Sequence, residues 1–122
     1  MFIANRSVKM MGVVDEALSE DVRAKISRWL FFMCAMVFTM VMIGGLTRLT
    51  HSGLSMVVWR PVTGWLPPLN LQEWQETFAL YRETPEYLLL NFGMTLNEFK
   101  SIYWLEYFHR LWGRFIGLAF VL

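Results

Sequence analysis

The sequence predicts an all-α integral membrane fold, and three observations carry that prediction. Hydrophobic residues make up 56% of the 122-residue chain and aromatic residues 16%, well above an average soluble domain. From Trp29 to Thr47 the run WLFFMCAMVFTMVMIGGLT holds 19 residues without a charge, bracketed by Arg28 and Arg48. A second apolar stretch, rich in aromatics, occupies residues 102–122. The balance of 11 basic against 10 acidic residues argues against a nucleic-acid partner, because phosphate neutralisation needs clustered Lys and Arg.

Taken in order, residues 1–28 form a polar N-terminal segment of mixed charge, with Asp15, Glu16, Glu20 and Asp21 among Arg6, Lys9, Arg23, Lys25 and Arg28. Such acidity disfavours a mitochondrial transit peptide. Residues 29–47 form the first transmembrane helix, since about 20 apolar residues cross about 30 Å of hydrocarbon. A cleaved signal peptide, the alternative, would have a shorter apolar core and small residues near its cleavage site. Arg23, Lys25 and Arg28 crowd the entry to this span, which places the N-terminus in the cytoplasm by the positive-inside rule. Cys34 is the sole cysteine, so neither an intrachain disulfide nor a CxxC metal site can form.

Residues 48–101 are then a loop on the periplasmic side. Its first part, TRLTHSGLSMVVWRPVTGWLPPLN, is rich in Gly, Pro and Trp and reads as an irregular, membrane-hugging connection. Three helix starts follow: Asn70 with Glu73, Thr84 before Pro85, and Thr95 with Glu98. In the first of these helices Leu71, Trp74, Phe78 and Tyr81 form one stripe, suited to the membrane surface, to a lid, or to a neighbouring helix. The helix starting at Thr95 enters the bilayer near Tyr103 and Trp104, which suit the interfacial aromatic belt, and 102–122 is the second transmembrane helix. The chain stops at GLAFVL inside this apolar run, as expected of a fragment or one piece of a larger bundle.

The second span carries the chemistry. At about 100° per residue, Glu106, His109, Arg110, Gly113 and Gly117 fall within an arc of about 100°. A charge at that depth costs on the order of 3 kcal/mol, so it faces a cavity or a bundle interior. An imidazole can ligate a metal, a nearby carboxylate can handle protons, and two glycines leave the helix bare for a flat body. Haem, held axially by His109, is the candidate. Other readings stay open: close helix packing for the GxxxG pattern, a hydrogen-bonded core His, snorkelling arginines, and one half of a di-iron site from ExxH. Iron content and a Soret band separate the last from haem.

The stretches GGLTRLTHSGLSMVVWRPVTGWLPP and PEYLLLNFGMTLNEFKSIYWLEYFHRLWGRFIG resemble the N-terminal part of the haem A synthase family, over roughly residues 43 to 120. The resemblance implies an eight-helix membrane protein of two related four-helix bundles, the chain supplying the first two transmembrane helices and the external-loop helices. It implies oxidation of a ring methyl of haem O to a formyl group, through a geminal diol that loses water, giving haem A for cytochrome oxidase. By matched position, Glu106 is the catalytic carboxylate and His109 the axial haem ligand. Opposing ligands and a haem b site are implied beyond Leu122. Arg48, Arg110 and Arg114 are candidate partners of haem propionates, with Gly113 and Gly117 leaving clearance for the ring.

The implied setting is the bacterial inner membrane, with lipid, haem O synthase and oxidase assembly factors as partners and a homo-oligomer as the assembly. His51 fills a variable slot of the TRLTxSGLSM motif, and no ligand role is expected of it. The loop lacks the cysteine pair of one family branch, which matches the branch shared by proteobacteria and mitochondria. A non-enzymatic b-type cytochrome is the competing function, since it could use His109 but has no use for Glu106. A cofactor-free structural or transporter segment is the third.

Overall fold

A computed structural model describes residues 1–17 and 19–122, with the side chains of residues 14–17 left aside. Asp15 and Glu16, part of the N-terminal acidity, lie outside the described side chains. The described residues form five helices: α1 (Phe2–Ala17), α2 (Glu20–Leu49), α3 (Leu71–Arg82), α4 (Pro85–Leu89) and α5 (Leu96–Val121). The described residues contain no strand. The chain divides into two compact units, Met1–Ala35 and Met36–Leu122, with the division inside α2.

The first long helix begins earlier than the apolar run does. Ser19 accepts from the Val22 amide through its hydroxyl at 3.4 Å, and Glu20 and Asp21 occupy the first turn, where the helix dipole favours negative charge. Lys25 pairs with Asp21 at 2.7 Å on an exposed face. Residues 20–28, polar by composition, are therefore the opening turns of the same helix. With 30 residues, α2 is about 45 Å long at 1.5 Å per residue, ample for a bilayer. It alone among the described helices is long and apolar enough to cross a membrane by length and composition. Helix α5, with 26 residues, reaches about 39 Å. It carries Glu98, Lys100, Glu106, Arg110 and Arg114, and so does not qualify on composition.

All three helix starts expected from the sequence form caps. Asn70 accepts from the Glu73 amide, Thr84 from the Tyr87 amide, and Thr95 makes a reciprocal capping box with Glu98. The core of the second unit is aromatic: Trp74, Tyr81, Tyr87, Phe99, Tyr103 and Tyr107 are buried together. Trp74 meets Tyr103 edge-on at 4.9 Å between centroids, and Phe78 and Tyr81 lie 4.9 and 5.1 Å from Phe99. Pairs of this kind are worth about 0.5–1.5 kcal/mol beyond their buried area. Of the α3 stripe, Trp74 and Tyr81 are buried and Phe78 half-buried against α5, whereas Leu71 remains 60% exposed. Packing on a neighbouring helix is what this stripe does.

Several hydrogen bonds tie α5 to distant chain, two of them outside the site described below. The Trp112 indole donates to the Met36 carbonyl at 2.9 Å, and the Tyr107 hydroxyl to the Trp65 carbonyl at 2.6 Å. The second crosses 42 residues and fastens the Gly- and Pro-rich connection to the helix.

Candidate functional site

The site is built where α2 ends. Its last turn closes in a Schellman arrangement: the Ser52 amide donates to the Thr47 carbonyl at 3.1 Å and the His51 amide to the Arg48 carbonyl at 3.3 Å. His51 takes the left-handed position usual for glycine there, at φ +49°. The fully buried Ser52 hydroxyl adds a second bond to the Thr47 carbonyl at 3.1 Å and the Thr50 hydroxyl a longer third at 3.4 Å. Leu54, at φ +68°, turns the chain again. These two bends bring the next serine onto α5.

Ser55 and Glu106 meet there, both buried. The Ser55 hydroxyl donates to Glu106 Oε2 at 2.6 Å, and the Met56 amide to the same oxygen at 2.9 Å. Arg110, one turn along α5, donates to Oε1 through Nε at 3.0 Å and Nη2 at 2.6 Å. A carboxylate offers about four acceptor positions, and protein donors fill them here, two on each oxygen. Arg110 also reaches the Met56 carbonyl at 3.4 Å. The TRLTHSGLSM motif and the EYFHR motif are thus each other's partners.

Beside this lock lies a cleft of about 350 Å³ lined by Gly44, Thr47, Arg48, His51, Gly53, Leu54, Glu86 and His109. That volume is at the low end of the roughly 300–1,000 Å³ typical of ligand sites. His109 is half-buried, and neither ring nitrogen has a hydrogen-bond partner among the described residues. Its Nε2 rests against α2 where Gly44 stands: a Cβ at Gly44 would lie 3.2 Å from it. His51 Nδ1 stands 4.0 Å from Glu86 Oε1 at the same cleft.

The sequence-derived set is divided by the fold. Arg48 and His109 share the cleft. Glu106 and Arg110 turn instead to the 52–56 loop. Arg114 donates to the Arg60 and Pro61 carbonyls, both at 3.3 Å, and stacks its guanidinium 5.1 Å over the Trp65 ring. Arg110, Arg114 and Gly113 line a separate cleft with Trp59 and Pro61. A Cβ at Gly113 would touch Met40 at 3.4 Å, so this glycine permits close approach to α2, while Gly117 faces open space. The single functional face expected from helical periodicity is therefore two faces, because adjacent residues on one arc meet different neighbours. Periodicity does not single out Ser55, Met56 or Gly44. Their signal is their place in the long motifs GGLTRLT and SGLSM.

The residues present fit a bound haem on one structural count: an unengaged imidazole, seated against α2 where Gly44 has no side chain, lines a cleft together with an arginine. The described residues contain no cluster of three or more His, Cys, Asp or Glu that could hold a metal ion by themselves.

Comparison with known proteins gives the family. Residues 27–122 match the model of the family described as cytochrome oxidase assembly protein. A protein of Paramagnetospirillum magneticum named haem A synthase is 55% identical over 103 residues, covering 84% of this chain and 29% of that protein. The proteins of the same name from Nitrosospira multiformis and Parvibaculum lavamentivorans are 58% and 60% identical, over 81% and 78% of this chain and 28% of each relative. The chain therefore spans a little over a quarter of the length of these curated relatives. No solved structure matches it. On the family match and the two interlocked motifs, the chain belongs to the cytochrome oxidase assembly protein family that includes the haem A synthases.

Proposed function

We propose that this chain forms part of a haem A synthase that oxidises a methyl group of haem O to the formyl group of haem A, for use by cytochrome oxidase. The observation that carries this is the cleft in which His109, free at both ring nitrogens, faces Arg48 and Gly44. The curated relatives named haem A synthase support the reaction. Haem O is the substrate, with His109 as axial ligand to its iron and Arg48 as partner of a propionate through charge-assisted bonds. Bound there, the porphyrin supplies a redox-active iron and the ring methyl to be oxidised. A resident haem b belongs to the remainder of the longer protein.

Glu106 is the catalytic carboxylate in this reading. It is fixed next to the residues that wall the cleft, since Gly53 and Leu54 line the cleft and the following residue, Ser55, binds Glu106 directly. A fixed negative charge at that point steadies positive charge developing on the substrate edge and accepts a proton when one is released. Arg110 orients the carboxylate, and Arg114 holds the 60–61 backbone. Gly113 and Gly117 keep α5 narrow along this side. Helix α5 serves as the second membrane span, with α2 the first. The segment Arg23 to Arg28 faces the cytoplasm, in the inner membrane of a bacterium, where haem O synthase, assembly factors and further copies of the protein are the partners.

The test is a His109→Ala substitution in the full-length protein. Purified protein should lose one haem equivalent and the matching part of its visible spectrum. An unchanged spectrum with unchanged haem stoichiometry would refute axial ligation. A non-enzymatic b-type cytochrome would keep its spectrum in a Glu106→Gln variant and form no haem A in either protein.

A further inference from the structure

We infer that Ser55 is the positioning residue for Glu106, and that its hydroxyl is the releasable member of the four contacts holding that carboxylate. The inference deepens the proposed function and rests on the reading of Glu106 as the catalytic carboxylate.

The four donors to Glu106 are chemically unequal. The Met56 amide is fixed by the backbone, and the two Arg110 nitrogens belong to one rigid, permanently charged guanidinium. None of these can do anything but donate. The Ser55 hydroxyl is different, because it both donates and accepts and its hydrogen turns about the Cβ–Oγ bond. A second acceptor stands ready for that hydrogen: the Ile102 carbonyl, 3.4 Å from Oγ, against 2.6 Å to Glu106 Oε2. Rotation from Oε2 to the Ile102 carbonyl frees one acceptor position on the carboxylate without moving backbone, Arg110 or Met56. In the same rotamer a Ser55 lone pair faces Oε2, so the pair remains bonded if that oxygen carries hydrogen.

Burial makes this arrangement specific. Ser55 is 0% exposed and Glu106 5%, so bulk water does not readily take the place of a lost partner. A donor-only residue here would lock the carboxylate, and an apolar one would leave it short of a bond, at a cost usual for buried charged groups. The location also matters: Gly53 and Leu54, the two residues before Ser55, line the His109 cleft, and Ser52 ties the other end of this tetrapeptide to α2. Ser55 therefore sets at once where the cleft wall stands and how Glu106 is presented beside it.

The test uses the full-length protein in membranes, with Ser55→Ala and the nearly isosteric Ser55→Cys, which fills the same space with a weak donor. Two readouts are taken: haem O conversion resolved into kcat and KM, and the infrared carboxylate stretch of Glu106 in carbon-13 glutamate-labelled protein, isolated by subtracting the Glu106→Gln spectrum. Both Ser55 variants should lower kcat roughly tenfold, leave KM for haem O and the haem content unchanged, and move the Glu106 stretch. If Glu106→Gln is inactive and both Ser55 variants convert haem O at the parent rate, or the stretch does not move, Ser55 is not the positioning residue. Loss of haem along with kcat would assign Ser55 to folding and likewise overturn it. If Glu106→Gln keeps full conversion, the catalytic reading of Glu106 fails and the Ser55 role falls with it.

Discussion

Arg110 places two guanidinium nitrogens on one oxygen of Glu106, at 2.6 and 3.0 Å, while the other oxygen is held by a loop 50 residues earlier in the chain. The pair is unevenly buried, with side-chain exposures of 25% for Arg110 and 6% for Glu106. Breaking a fully buried pair from one side costs about 3–5 kcal/mol, and partial exposure reduces that. Replacing Arg110 by Ala should therefore destabilise the folded protein by about 2 kcal/mol, read as a lowered midpoint of thermal unfolding in detergent. In the Arg110→Ala, Glu106→Gln double variant part of the loss should return, because no ionised group is then left unpaired. Strict additivity of the two losses would contradict direct coupling.

A second prediction concerns Gly44, which owes its importance to an absent side chain. A methyl there would sit 3.2 Å from His109 Nε2, closer than ordinary carbon–nitrogen contact, so the imidazole must turn away or α2 must give. Gly44→Ala should weaken haem retention by roughly tenfold or more, with an altered ligand-field region in the visible spectrum and an unchanged helical circular dichroism signal. Gly45 is the control, since a methyl added there would meet nothing within 4 Å, and Gly45→Ala should leave haem retention at the parent level.

The parts of this architecture legible in the sequence are the local ones. Asn70 and Thr95 announce their helices because a cap and its partner lie three residues apart, Thr84 because Pro85 follows it, and the apolar run of α2 announces itself by length. Glu106 and His109 stand out because ionisable groups in an apolar helix demand an explanation. What periodicity cannot supply is the partner of each. A helical arc gives a direction, and within one such arc Glu106 meets Ser55, His109 meets Gly44, and Gly113 meets Met40. Those pairs join positions 51, 65 and 73 residues apart, where pairing depends on how the connection folds back. The early start of α2 is hidden for a related reason: charged residues read as a flanking tail, although acids in a first turn favour a helix.

The two left-handed residues yield a stability prediction. His51 and Leu54 adopt φ of +49° and +68°, a region that costs an L-residue about 1–2 kcal/mol and glycine little. His51 holds the helix-terminal position where glycine is the usual occupant, and its contact with Glu86, at 4.0 Å on an exposed side chain, returns little. His51→Gly and Leu54→Gly should each raise stability by about 0.5–1 kcal/mol, the strain relief being partly offset by glycine's greater freedom when unfolded. Both residues also line the cleft. Leu54 is 62% exposed and lines it, so Leu54→Gly should reduce haem O affinity even as it raises the unfolding midpoint.

Two groups outside the spans give the fold a defined pH window. Glu98 accepts from the Thr95 amide at 2.7 Å and the Thr95 hydroxyl at 2.9 Å, and these bonds, the backbone one foremost, hold its carboxyl below the ordinary 4.5. A lowered folded value means that the unfolded chain binds the proton first as pH falls, so this contribution is whole above 4.5 and disappears as pH drops through the folded value. Tyr81 is the opposite case. Burial pushes its phenol above the ordinary 10.0, outweighing the Asn91 amide at 2.7 Å, which favours ionisation. Its contribution is whole below 10.0 and is lost as pH rises through the raised folded value, since the unfolded chain releases the proton first. Unfolding midpoints followed from about pH 3 to about pH 11 should fall at both ends. Glu98→Gln should flatten the acid limb alone and Tyr81→Phe the alkaline limb alone. An alkaline limb unchanged by Tyr81→Phe would mean that the buried phenol does not titrate with unfolding.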